Sequence, residues 1–220
     1  SFTYVVEDAD GARSVEAEVT VTVGSVNDPP VLTAPTDAVT GTEDQIVPGT
    51  LAGQDIDGDP LTYVIVSGPV SGGVPTGTLT LDPQTGAFDY APPEDFFGTV
   101  TFEASADDGI AQSAPRTITL VLNPVNDTPT AEDLSVVTDE DTPLTAVFAA
   151  SDVEDGALTF AVLDPPERGT VTLEGDTFTL EPAADFAGEL SFTYTATDAE
   201  GATSAPATVT NASGCGFRHP

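Results

Sequence analysis

Two copies of an Asn-Asp pair are the first candidates for chemistry, because amide and carboxylate oxygens are the ligands that hard divalent cations prefer. Asn27-Asp28 and Asn126-Asp127 each follow a valine and lie beside prolines. The two pairs are 99 residues apart, which is close to the length of one small domain. The spacing predicts that each pair lies on a short, proline-stiffened connector where a cation could bind.

Further acidic segments recur in step with these connectors. Residues 55–59 read Asp-Ile-Asp-Gly-Asp, and residues 152–156 read Asp-Val-Glu-Asp-Gly. Glu43 lies in an acidic turn early in the first repeat. Acids also occur late in each repeat, at 107–108 in the first and at Asp198 in the second. We therefore expect each connector to be accompanied by several acidic loops that are distant from it in sequence.

The segments between these loops have the alternation of β-strands. Residues 15–23 place valine and alanine at every second position, with Glu and Thr between them, which indicates a half-buried antiparallel strand. The opening unit, a strand that begins at Phe2 and ends in an acidic turn, recurs from Phe102 and from Phe192, after 100 and then 90 residues. The repeats predict the last two strands of a truncated repeat at 1–28, complete repeats at 29–124 and 125–212, and a tail at 213–220.

Each complete repeat is expected to hold seven short strands with a turn about every 8–12 residues, and no segment has the apolar periodicity of an amphipathic helix. In the first repeat, for example, strands are expected at 31–40 and 46–52, and in the second at 130–137 and 144–150. This arrangement predicts an all-β chain of tandem, seven-stranded Greek-key β-sandwiches joined end to end.

Loops of such a sandwich fall at its two ends, so acids that are far apart in sequence should meet at each joint between repeats. Carboxylates about 4 Å apart repel by about 4 kcal/mol at an effective dielectric of 20, so the joint needs a cation. The predicted metal ligands are Asn27, Asp28, Asp55, Asp57, Asp59, Asp107 and Asp108 at the first joint, and Glu43, Asp44, Asp95, Asn126, Asp127, Asp152, Glu154 and Asp198 at the second.

The ligand types favour Ca²⁺ as the bound ion. Calcium accepts six to eight oxygens with flexible geometry, whereas magnesium requires a stricter octahedron. Zinc requires His or Cys, and the single His219 and Cys215 both lie in the tail. The acidic loops have two other interpretations. The first is an EF-hand, which is disfavoured because Val66 occupies the last position of residues 55–66, where an EF-hand loop needs Glu. The second is that the loops are solvated turns, since Asp and Gly favour turns.

Composition excludes several classes of function. With 37 acidic residues against 4 basic ones, the formal net charge is −33, so nucleic acid and anionic membranes are disfavoured as partners. No apolar run is long enough to cross a bilayer, and the absence of a signal peptide suggests a mature fragment. We expect no enzymatic activity, because the only histidine that could activate a nucleophile, His219, is the second-to-last residue of the chain.

The acidic turns at Glu43 and Glu140, the Asp-x-Asp of residues 55–57 and the two Val-Asn-Asp connectors together resemble the calcium-binding, cadherin-like repeats of large bacterial surface proteins and adhesins. The resemblance covers nearly all of residues 1–210. It implies that the turn glutamate, the Asp-x-Asp pair, the connector residues and the corner acid bind calcium between repeats. Glu154 replaces the second Asp of the motif, which implies a looser second site, and residues 211–215 replace a third connector, so no joint is expected beyond them.

Three functions remain open on this basis. The first is a calcium-rigidified spacer or adhesin segment of an extracellular, cell-surface protein, whose partners are calcium ions and neighbouring repeats. The second is a subunit of an extracellular filament or sheath, in which the strands of residues 1–28 pair with a like subunit. The third is a module that binds a carbohydrate or a cell-surface receptor, which requires an exposed aromatic patch.

Overall fold

The computed structural model describes residues 1–154 and 156–212. These residues form 21 β-strands and no helix, so no helix in the described part of the chain could cross a membrane. The strands are β1 (Phe2–Tyr4), β2 (Ala17–Val19), β3 (Val31–Ala34), β4 (Val39–Thr42), β5 (Val47–Thr50), β6 (Ala52–Gln54), β7 (Thr62–Ser71), β8 (Val74–Pro75), β9 (Thr78–Leu81), β10 (Ala87–Ala91), β11 (Gly98–Asp107), β12 (Arg116–Asn123), β13 (Thr130–Ala131), β14 (Leu134–Val136), β15 (Leu144–Val147), β16 (Ala150–Ser151), β17 (Thr159–Asp164), β18 (Gly169–Glu174), β19 (Thr177–Pro182), β20 (Glu189–Thr197) and β21 (Ala207–Ala212). The predicted tail at 213–220, with Cys215 and His219, lies outside the described residues.

The chain divides into two compact units whose boundaries are not those of the sequence repeats. Unit 1 comprises Ser1–Thr40, Ile46–Ala91 and Thr99–Val121, and unit 2 comprises Gly41–Gln45, Pro92–Gly98 and Leu122–Pro220. Two short loops of the first repeat, the acidic turn at 41–45 and the corner at 92–98, therefore belong to unit 2. The predicted repeat boundaries at 28, 124 and 212 remain predictions.

Unit 1 contains a sandwich of short sheets. One sheet has the strand order β5-β10-β9, a second has the order β4-β12-β11-β7-β8, and β3 pairs with β6. Its core is formed by alternate side chains of these strands, including Val47, Phe88, Tyr90 and Phe102, all at most 2% exposed. The rings of Phe88 and Phe102 pack edge to face with their centroids 5.2 Å apart.

Unit 2 repeats this plan with fewer strands. One sheet has the order β14-β21-β20-β17, the other has the order β15-β19-β18, and β13 pairs with β16. Phe148 lies at the centre of the core, in ring contact with Phe160, Phe178, Phe192 and Tyr194. Aromatic pairs of this kind stabilise a core beyond the area that they bury.

The first predicted strands of each repeat are divided in the structure. The segment 31–40 forms β3 and β4, which belong to different sheets, and 130–137 divides into β13 and β14 in the same way. Pro35 interrupts the first of these, because proline cannot donate to a sheet ladder. The same kind of division separates β5 from β6 and β15 from β16. A strand that changes sheets in this way links the two layers of a sandwich.

Residues 1–28 form a short hairpin rather than two long strands. β1 and β2 pair antiparallel over three residues each, with Phe2 opposite Val19. The predicted inward-facing valines outside β2 are largely exposed, Val15 at 88% and Val23 at 87%. An Arg13–Glu7 ion pair of 2.6 Å closes the hairpin loop.

Candidate metal centre

A buried glutamate lies at the centre of the acidic cluster in unit 2. Glu43 follows β4, and its side chain is 0% exposed. Its backbone N–H donates to the carbonyl of Asn123 at 3.1 Å, and its Oε1 accepts the backbone N–H of Val125 at 2.7 Å. These two bonds fix the glutamate against the start of the second connector. Its other oxygen, Oε2, is buried and has no hydrogen-bond partner among the described residues.

Two further carboxylates face Glu43. One oxygen each from Glu43, Asp127 and Glu154 lie within 4.8 Å of one another. The connector positions Glu154 directly, because the N–H of Asp127 donates to Glu154 Oε2 at 3.0 Å. The remaining oxygens, Asp127 Oδ2 and Glu154 Oε1, are also buried without a partner in the described part of the chain. An unpartnered buried polar atom is costly and requires an explanation.

A second triad shares Asp127 with the first. Oxygens of Asp44, Asp95 and Asp127 also lie within 4.8 Å of one another. Asp44 and Asp95 both have positive φ, +58° and +56°, a conformation that aspartate tolerates better than most side chains. The N–H of Asp95 donates to Asp44 Oδ1 at 3.1 Å. The corner and the turn therefore hold each other in place beside the connector.

The connector asparagine is held from the other side. Asn126 Nδ2 donates to Asp198 Oδ2 at 2.9 Å, and Asp198 Oδ1 also accepts the N–H of Ala202 at 2.7 Å. The amide of Asn126 and these backbone bonds lower the pKa of Asp198. Asp152 Oδ1 accepts the N–H of Glu154 at 3.2 Å. All eight residues predicted for the second joint are thus near one another within unit 2.

The electrostatics of the cluster favour neutralisation. Burial raises the pKa of Glu43, the Val125 N–H opposes that shift, and Glu154, Asp44 and Asp127 raise it further. Burial also raises the pKa of Asp127, with the carboxylates of Asp95, Glu154, Asp44 and Asp152 adding to the effect. Loss of water and proximity of like charge are the causes of such shifts. The group therefore gains from a bound proton or a bound cation.

Unit 1 holds a related but smaller cluster. Oxygens of Asp55, Asp57 and Asp59 lie within 4.8 Å of one another, and Asp55 Oδ2 is buried without a partner among the described residues. The N–H of Asp28 donates to Asp57 Oδ2 at 2.9 Å, as Asp127 does to Glu154. Asn27 Nδ2 donates to Asp108 Oδ2 at 3.0 Å. Within the described residues, no counterpart of Glu43 joins this triad.

Asp108, rather than Asp107, occupies the position that corresponds to Asp198. Asp107 uses its carboxylate on the N–H of Gly109 and on Gln112 Nε2, at 2.7 and 2.8 Å. Counting six residues from Phe102 gives Asp108, and counting six from Phe192 gives Asp198. When the two repeats are aligned on this strand, rather than on the glycine of the following turn, Asp108 is therefore the residue equivalent to Asp198. Sequence reasoning also missed the backbone of Val125, for which no side-chain signal exists.

The donor set suits a hard cation and no other common ligand. The facing atoms are carboxylate oxygens, with no sulfur or imidazole nitrogen in either cluster. Arg13–Glu7 is the one ion pair among the described residues, so no arginine there neutralises either carboxylate cluster. Orphaned buried oxygens from three side chains can all be satisfied by one ion at their centre. The residues present therefore fit a divalent cation.

Comparison with known proteins supports the fold. A family model described as a bacterial Ig domain matches residues 27–121 and 126–211. EC1-2 of human protocadherin-24 is 18% identical, with a TM-score of 0.58, and the match covers 85% of this chain and 98% of that one. Human CDH23 EC21-23 is 21% identical, with a TM-score of 0.60 and coverages of 85% and 70%.

The extracellular cadherin domains 1-5 of protocadherin gamma B2 are 17% identical, with a TM-score of 0.61, and the match covers 97% of this chain and 50% of that one. No curated protein matches the chain. The prediction of an all-β chain of tandem cadherin-like, Ig-like domains is confirmed. At these identities the solved structures establish the fold alone.

Proposed function

The chain belongs to the bacterial Ig domain family in two tandem copies, and from that premise we propose that it is a calcium-stiffened segment of a bacterial cell-surface protein. Its acidic loops would bind Ca²⁺ and restrict bending of the chain around the second connector. Its role would be to extend or present other parts of the same protein, with calcium ions and neighbouring repeats as its partners.

The observation that carries this proposal is the buried carboxylate of Glu43. A fully buried, unpaired charge is strongly unfavourable unless it is neutralised or binds a metal. The Oε2 atom of Glu43 is buried without a hydrogen-bond partner among the described residues, and one oxygen of this carboxylate lies within 4.8 Å of an oxygen of Asp127 and of an oxygen of Glu154. An ion at this position would satisfy all three carboxylates.

The two triads would divide the work of binding. Glu43, Asp127 and Glu154 would hold one cation, while Asp44 and Asp95 would bind a second on the other side of Asp127 or complete the shell of the first. Asn126 and Asp198 would orient the connector through their hydrogen bond. Calcium is favoured over magnesium because the carboxylates come from four separate segments, an irregular shell that calcium tolerates and magnesium does not.

Stiffening follows from the sequence origin of the ligands. Glu43, Asp44 and Asp95 come from the first sequence repeat, whereas Asp127 and Glu154 come from the connector and the second repeat. One ion bound by both sets would fasten the connector to loops on either side of it in sequence. The extracellular cadherin domains of protocadherin gamma B2 have a similar fold, and this likeness supports an extracellular location for the chain.

Calorimetric titration with calcium, paired with small-angle scattering, tests the proposal. We expect binding with a dissociation constant of about 10⁻⁴–10⁻³ M, as for extracellular calcium modules, and a narrower distribution of dimensions in calcium than in chelator. Glu43→Gln should weaken binding at least about tenfold, following the scale of losses at metal sites. Glu140→Gln, at the equivalent turn of the second repeat, is the matched control and should bind like the wild type. Absence of binding up to about 10 mM calcium, far above that range, would refute the proposal.

A further inference from the structure

The strand β18 (Gly169–Glu174) forms an open edge of the sheet β15-β19-β18. On its inner side, β18 pairs with β19 over all six residues, from Gly169 opposite Pro182 to Glu174 opposite Thr177. Exposed edges with unpaired backbone groups are templates for pairing with another chain, and proteins usually protect them with bulges, prolines, charges or short length.

The other edges of the two main sheets in unit 2 show such protection, whereas residues 169–173 of β18 do not. β14 and β15 are only three and four residues long, and the pairing of β17 has an irregularity between Val162 and Asp164. Residues 169–173 read Gly-Thr-Val-Thr-Leu, with no charge and no proline. Their pairing with β19 runs without a register shift.

The backbone groups that face outward are those of Gly169, Val171 and Leu173. In an antiparallel pair, successive residues direct their N–H and C=O groups alternately toward the partner strand and away from it. The carbonyl of Arg168 accepts the N–H of Ala183, on the β19 side, at 3.3 Å. The backbone N–H and C=O groups of the even-numbered residues therefore point toward β19, and those of the three odd-numbered residues point toward the open edge.

Charges flank this edge in a self-complementary order. Arg168 precedes the strand, Glu174 ends it, and both are exposed. If a second copy of β18 pairs antiparallel about Val171, then Val171 faces its own copy, Thr170 faces Thr172, and Arg168 faces Glu174 twice. The chain has 37 acidic residues and only 4 basic ones, so most arginines could find an acidic partner. The Arg168 side chain nevertheless forms no ion pair within the described residues.

We propose that two copies of this chain associate through antiparallel pairing of their β18 edges, centred on Val171. The pairing uses the outward N–H and C=O groups of Gly169, Val171 and Leu173 in hydrogen-bonded pairs. Two Arg168–Glu174 contacts fix the register. Leu173, which is 39% exposed in the single chain, lies opposite the Gly169 of the second copy and gains cover there.

The first repeat supplies an internal comparison. Its counterpart strand β9 lies in the stretch Gly77-Thr-Leu-Thr-Leu-Asp82, which matches Gly169 to Glu174 closely. The position equivalent to Arg168 is Thr76, so the same pairing of β9 places threonine, not arginine, opposite an acid. Of these two counterpart strands, β18 alone has the charge order that favours self-pairing.

Analytical ultracentrifugation of the full chain in chelator tests this inference separately from calcium binding. A Cys215→Ser background removes thiol-linked dimers. We expect a concentration-dependent dimer, and Arg168→Thr should weaken it about 2- to 30-fold, since two opposite-charge cross-strand pairs are lost. Arg13→Thr removes the same charge from the hairpin at 1–28 and should leave the dimer unchanged.

A charge exchange provides the decisive comparison. Arg168→Glu should weaken the dimer further than Arg168→Thr, and the double variant Arg168→Glu, Glu174→Arg should restore it to near the wild-type level. In addition, mixing Thr170→Cys with Thr172→Cys chains should give disulfide-linked heterodimers faster than either variant alone, because these positions face each other at about 4.5 Å between Cα atoms. A chain that stays monomeric, or a double variant as weak as Arg168→Glu, would overturn the inference.

Discussion

Replacing Glu43 with glutamine should have opposite effects on stability with and without calcium. In chelator, the substitution removes a buried charge that faces Asp127 and Glu154, while the amide still offers an oxygen to the Val125 N–H. Burial and neighbouring carboxylates raise the pKa of Glu43, so the folded state disfavours the charged form more than the unfolded chain does. We therefore expect Glu43→Gln to raise the melting temperature of the calcium-free protein.

With calcium, the order should reverse. A ligand at a concentration 10 to 100 times its dissociation constant stabilises the folded form by about 1.4–2.7 kcal/mol, the range for about 10 mM calcium at a site of ordinary extracellular affinity. For a domain of the size of unit 2, this shift corresponds to about 6–20 °C. A tenfold weaker site in Glu43→Gln would retain only about 0.4–1.4 kcal/mol of this stabilisation.

Differential scanning calorimetry of both proteins, in chelator and in calcium, measures all four values. Glu140→Gln is the control, because it removes the same charge from the equivalent turn of the second repeat. The reasoning is refuted if Glu43→Gln destabilises the calcium-free protein while retaining the full calcium-induced shift. That outcome would mean that the carboxylate serves packing alone.

Two further predictions concern packing and pH. Gly49→Ala should destabilise unit 1 by about 1–3 kcal/mol in urea unfolding, because a Cβ there would overlap the Phe88 ring, whereas Gly68→Ala, with no atom within 4 Å, should be near neutral. The raised pKa values of Glu43 and Asp127, from ordinary values of 4.5 and 3.8, mean that the folded state binds more protons than the unfolded chain. In chelator, their contribution to stability is therefore present below about pH 4 and is lost as pH rises. The stabilisation from Glu43→Gln should accordingly be larger near about pH 7 than near about pH 4, and an equal effect at both would contradict this assignment.

The sequence was most informative where a segment recurred. The unit that recurs from Phe102 and from Phe192 predicted strands at those positions, and the structure has β11 and β20 there, which bury both phenylalanines. Short strands that change sheets, such as β3 and β4, read as one strand because the pattern of alternation does not reveal which sheet a residue joins. The valines of the hairpin at 1–28 show the converse, since alternation alone does not bury a side chain when no second sheet covers it.

Convergence of the acids in unit 2 was predictable because loops of a sandwich meet at its ends. What could not be predicted was which oxygen lacks a partner. Glu43 and Asp44 are adjacent in sequence, yet only Glu43 is buried, because its Oε1 is tied to the backbone of Val125. A backbone N–H donor cannot be recognised from the pattern of side-chain types, so the burial of Glu43 could be determined only from the structure.

Diffraction from crystals grown with calcium, measured where calcium scatters anomalously, tests the central claim most directly. We predict an anomalous peak between Glu43, Asp127 and Glu154, with ligand distances of about 2.3–2.6 Å. Ordered water in that position, with the three carboxylates turned away from one another at saturating calcium, would contradict the account.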